Sequence, residues 1–163
     1  MQRVPITLRG PYLEGVLGPM GPELEQAARA GIVDAGGGLA GIAERLGRYA
    51  SGMELDWYPS GQMFVRGAVQ TGDGPSRAVT FLAELQPSWA LGTRTGQPGW
   101  LIEASVEVDC QHSPDHGSMH TVFESNASAS MVEEAVAALA EAVHQLDRLA
   151  NEPIATWADR GGD

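Results

Sequence analysis

The residues with the widest choice of chemistry lie together. Asp109-Cys110-Gln111-His112-Ser113-Pro114-Asp115-His116-Gly117-Ser118-Met119-His120 holds the only cysteine of the chain and three of its four histidines. Imidazole, thiolate and carboxylate are the ligands of zinc, which needs its donors to converge to about 2.0–2.3 Å from one ion. The alternation of the flanking segments argues against a site that includes the thiol. Cys110 continues an inward row with Val108, whereas His120 falls with Val122 and Glu124 on the outward row of the returning segment. The metal candidates are then His112, His116 and His120, which converge only if the loop between them folds over. The expectation is a polar hairpin tip with a buried and therefore unreactive thiol, and no bound cofactor.

Gly36-Gly37-Gly38-Leu39-Ala40-Gly41 fits the dinucleotide pattern GxGxxG, with Ile32-Val33 before it and Glu54 or Asp56 beyond. The context fails. Two residues are too few for a central parallel strand, and Trp57-Tyr58-Pro59-Ser60-Gly61 reads as a hairpin instead of a second βαβ unit. The glycines are expected to break the chain between two helices. Neither a GxSxG elbow nor an HExxH pair occurs. The chain has no lysine, which removes Schiff-base chemistry and the P-loop. His144, three residues from both Glu141 and Asp147, reads as part of a surface ion pair.

Carboxylates remain. Glu103, Glu107 and Asp109 alternate on the outward side of one segment, and Glu124 falls outward on the next. In solvent these are ordinary acids, not catalysts. Like charges on one face of a strand pair cost stability. A sheet that carries them either leaves them solvated or uses them to dock Arg or Lys of a partner. Tyr58 and Phe64, outward on neighbouring segments, are candidate aromatic anchors for the same contact.

The elements that must hold these residues follow from periodicity. Val4–Leu8 fits a short edge strand, where Pro5 is tolerated. Gly21–Ala30 and Leu39–Ala50 have helical spacing, the second through Leu39, Ile42, Leu46 and Tyr49. The period then changes to two. Met53, Leu55 and Trp57 form one inward set, Met63, Val65, Gly67 and Val69 the next, and Val79, Phe81, Ala83 and Leu85 a third. Pro87–Gly99 reads as a loop. From Trp100 to Gln111 the alternation is longest, with Ile102, Ala104, Val106 and Val108 inward, and Met119, Thr121 and Phe123 return on the inward side. Such alternation marks antiparallel strands with one wet face. Ser130 and Glu133 form a capping box for a last helix with Val132, Val136, Leu139, Val143, Leu146 and Ala150 on one stripe. The fold class is α+β: an antiparallel meander of about five strands packed against a long C-terminal helix, with two shorter N-terminal helices.

With 163 residues, 17.2 kDa and 43% hydrophobic residues, the chain reads as a single domain over residues 1–163. No apolar run approaches the ~20 residues that span a bilayer, and the N-terminal segment lacks the apolar stretch of a signal peptide. Cytoplasmic localisation is expected. The lysine-free, Ala- and Gly-rich composition resembles that of a GC-rich bacterial genome. The net charge of −11 is uneven: residues 95–147 hold nine acids and no arginine. That field repels nucleic acid and anionic lipid. It favours solubility, and it would attract a basic partner.

Three functions fit. The first is a non-enzymatic acidic protein-binding module, of inhibitor, immunity or chaperone type, docking a basic partner through Glu103, Glu107, Asp109, Glu124, Tyr58 and Phe64. Second, the order strand, two helices, strand meander, long C-terminal helix is similar to the helix-grip fold, although that fold has six strands after the helices where five are counted here. The resemblance implies a small-ligand-binding or cyclase-type protein with a cavity between the last helix and the sheet. A third is a subunit of a phage or secretion assembly, which would expose a large apolar patch.

Overall fold

A computed structural model describes residues 2–5, 10–46, 50–57, 63–71, 79–88, 99–109 and 119–152. Strand β1 (Gln2–Pro5) precedes helices α1 (Gly10–Leu17) and α2 (Pro22–Leu46). Strands β2 (Ala50–Trp57), β3 (Met63–Thr71), β4 (Val79–Pro87), β5 (Trp100–Asp109) and β6 (Met119–Ala129) follow, and α3 (Val132–Leu149) ends the series. The class is α+β with an antiparallel sheet, as the alternation implies. The sheet runs in chain order, β1-β2-β3-β4-β5-β6, so among the described residues it has six strands where the meander predicted about five. The extra one is the N-terminal edge strand, which occupies Gln2–Pro5 and pairs with β2.

The helices differ from expectation. The two predicted between Gly21 and Ala50 are one 25-residue helix, the longest element of the chain, and α1 before it was not foreseen. The glycines within α2, expected to break the chain, let α3 approach it instead. A methyl added at Gly31 would overlap Val136, and one at Gly38 would come within 2.6 Å of Val143 Cγ1. Two glycines seven residues apart thus seat two valines seven residues apart. Each glycine costs about 0.5–1 kcal/mol of helix propensity, and the close packing of α3 offsets it. Gly67 on β3 plays the same part for Leu39, whose Cδ1 lies 2.5 Å from where a Cβ would stand.

Ala28, Ile32, Ala35, Leu39 and Ile42 of α2 and Ala135, Leu139, Ala142 and Leu146 of α3 face the sheet's inner side. There they join Leu55, Val65, Val69, Phe81, Leu85, Ile102, Val106 and Val108 in one core, with Leu13, Val16 and Leu17 of α1. The Trp100 indole N–H donates to the Val16 carbonyl at 2.7 Å and fastens α1 to β5. α3 begins one residue later than a Ser130 cap requires. Met131 is its N-cap, extended and without a side-chain bond, so the predicted capping box does not form. Glu133 and Glu134 in the first turn and Arg148 in the last still suit the helix dipole. Among the described residues no helix is long and apolar enough to cross a membrane.

A bulge in β6 corrects the predicted facing. Val106 pairs with Phe123 but Glu107 with Thr121, leaving Val122 unmatched. Beyond it the register turns over. Thr121 stands with Glu107 on the outer face and His120 with Val108 on the inner, the reverse of strict alternation.

Candidate functional site

The sheet's outer face carries the charged groups, and cross-strand pairing sets them in rows. One row runs Glu54–Arg66–Glu84–Glu103–Asn126 across β2 to β6. The next runs Ala68–Leu82–Ser105–Glu124, and a third Gln70–Thr80–Glu107–Thr121. Three of the predicted residues, Glu103, Glu107 and Glu124, therefore come together around Ser105. Glu103 and Glu107 flank it along β5, and Glu124 stands opposite it on β6. Glu124 is exposed, while Glu103 and Glu107 are half-buried. Among the described residues no arginine pairs with any of the three. Glu124 Oε1 accepts a hydrogen bond from the Asn126 amide at 2.9 Å.

The remaining expectations divide. Asp109 is the last residue of β5, opposite Met119. Tyr58, Cys110, His112 and His116 lie outside the described residues. His120 is turned inward by the bulge, and its Nε2 is buried without a hydrogen-bond partner. Among the described residues no three His, Cys, Asp or Glu side chains are placed to hold a metal ion. Phe64 is on the outer face as predicted but is only 5% exposed, so it is not the exposed anchor that alternation suggested. Alternation reports which face a side chain takes, not what covers it there. His144 forms neither expected pair: Asp147 binds Arg45 of α2, and Glu141 binds Arg148 at 3.0 Å.

The outer face is also drier at its centre than a wet-face reading predicts. Thr80, Leu82 and Ser105 are 4%, 6% and 1% exposed, and among the described residues the Thr80 and Ser105 hydroxyls have no hydrogen-bond partner. Arg66 Nε lies 2.9 Å from Glu84 Oε1, although its N–H is not aimed along that contact. Burial raises the Glu84 carboxyl above the usual carboxylate range, against the lowering effect of Arg66, and the Glu103 charge adds to the rise. Burial also raises Glu103, helped by the charges of Glu124 and Glu107.

Arg66, Glu84, Thr80 and Ser105 were not singled out from the sequence. Their outward placement follows from the period of two, but their meeting depends on inter-strand register, which no single strand encodes. On the opposite face Phe81, Leu85, Val106, Leu139 and Leu146 have no exposed area, so no water-sized space adjoins them between α3 and the sheet. No family model matches this chain, and no curated protein or solved structure is significantly similar to it.

Proposed function

We propose that the chain is a non-enzymatic binding module that docks a basic protein surface on the β5–β6 side of its outer sheet face. The observation that carries this is the grouping of Glu103, Glu107 and Glu124 around Ser105, with no arginine of the described residues paired to them. Like charges so placed repel one another, and burial raises that cost at Glu103. Cationic side chains from a partner would offset the repulsion and speed association. The complete burial of Phe81, Leu85, Val106, Leu139 and Leu146 favours this reading over a ligand carrier of helix-grip type. The test is binding of the full chain to Arg- and Lys-rich peptides against acidic and neutral ones, at low and high ionic strength. Basic peptides alone should bind, with affinity falling as salt rises. The Glu103→Gln, Glu107→Gln, Glu124→Gln triple variant should bind on the order of tenfold more weakly. Equal retention at both salt levels, or an unaffected triple variant, would remove electrostatic docking.

A further inference from the structure

The two edges of the sheet are unlike. β1 offers four residues and ends on Pro5, which has no N–H to give. Short strands and proline are the usual means of closing an edge to further pairing. β6 offers eleven residues, Met119–Ala129, without Pro, Lys or Arg. Past the bulge, Phe123–Ala129 runs regularly, and Glu124, Asn126, Ala127 and Ser128 are exposed. The Ala129 carbonyl oxygen lies 2.9 Å from where a Cβ on Gly99 would stand, so it points toward β5. Alternation then turns the N–H and C=O groups of Glu124, Asn126 and Ser128 away from β5. Among the described residues no backbone hydrogen bond reaches them.

A second observation lies beside this edge. Small residues on the inner side of β6, Ser125 and Ala127, and on α3, Ala138 and Ala142, leave a notch of about 80 Å³ with Ile102 in its wall. It has room for a small aliphatic side chain. On the outer side the same edge is bordered by Glu124, with Glu103 and Glu107 one strand further in. A strand added to β6 would send alternate side chains to these two places.

We propose that β6 is a receptor edge, to which an extended segment of the partner adds as a seventh strand, its apolar side chains entering the notch and its basic ones lying beside Glu124. The inference rests on the acidic-docking reading and specifies how that docking is made. Charge selects the occupant. A second copy of a chain of net charge −11 would bring another Glu124 to the same seam, whereas a segment of alternating apolar and basic residues neutralises it.

The test titrates the full chain with a peptide of alternating Val and Arg and with a scrambled peptide of the same composition. The alternating peptide should bind on the order of tenfold tighter, and amide exchange at Glu124, Asn126 and Ser128 should slow in the complex. Asn126→Pro removes an outward N–H without touching the β5 ladder, a position where proline is tolerated. It should abolish the preference for the alternating peptide while the triple Glu→Gln variant keeps that preference at lower affinity. Ala127→Leu, which fills the notch, should act like Asn126→Pro and serves if that variant fails to fold. Equal affinity for both peptides, with both β6 variants unaffected, overturns strand addition and leaves the acidic face standing. No binding of either peptide overturns both proposals. Slowed β6 amides in a dimer of the chain alone would assign the edge to a second copy and overturn the partner proposed here.

Discussion

Glu84 on β4 and Glu103 on β5 stand directly opposite each other on the outer face, and among the described residues only Glu84 of the two has an arginine beside it. Substituting them should therefore have unequal effects. Glu103→Gln removes repulsion and should stabilise the fold at neutral pH by roughly 0.2–1 kcal/mol. Glu84→Gln relieves the same repulsion but also leaves Arg66 without its carboxylate, so its gain should be smaller. The pH dependence follows from the raised proton affinity of both carboxyls in the folded state. From the ordinary carboxylate range up to their raised values, the folded chain holds more protons than the unfolded one, so stability falls as pH rises through that window. The Glu103→Gln gain should accordingly shrink in acid. Urea midpoints at neutral and acid pH measure this; a gain independent of pH would contradict it.

The seam between α2 and α3 predicts a contrast among four glycines. Gly31→Ala and Gly38→Ala press a methyl into Val136 and Val143 and should each cost about 1–3 kcal/mol. Gly37→Ala and Gly41→Ala meet nothing within 4 Å and should stabilise by about 0.5–1 kcal/mol through helix propensity. Val136→Ala should recover part of the Gly31→Ala loss, a coupling that a double-mutant cycle reads directly. Uniform effects at all four positions would show that α3 does not rest on these glycines.

The Thr80 and Ser105 hydroxyls are buried without partners, and an unmet hydroxyl costs about 1–3 kcal/mol. Thr80→Val and Ser105→Ala should therefore raise the melting temperature, or at least not lower it. A loss of more than about 1 kcal/mol at either position would mean that the hydroxyl is bonded in solution.

The β5 alternation was legible because a strand with one dry face encodes its facing in every second residue: Ile102, Ala104, Val106 and Val108 are buried as expected. The α3 stripe was legible for the corresponding reason at helical spacing. The continuity of α2 was not. Gly36–Gly38 disfavour a helix locally, and only Val143, more than a hundred residues away, shows what a glycine at position 38 is for. The facing of His120 was lost to a single unmatched residue, Val122, since one bulge inverts everything beyond it. Of the candidate site, Glu103, Glu107 and Glu124 were found from outward position alone. Their grouping around Ser105, and the Arg66–Glu84 pair beside them, required register.

Strand order and chain order coincide from β1 to β6. From β2 onward each strand joins the one made just before it, so every closure is short and its entropic cost small. The sheet can thus grow like a zipper in one direction, with only β1 arriving across two helices. Growth of that kind stops where the polypeptide turns away into α3, leaving Glu124, Asn126, Ala127 and Ser128 of the last strand exposed. A visiting segment would repeat the step that brought β6 to β5.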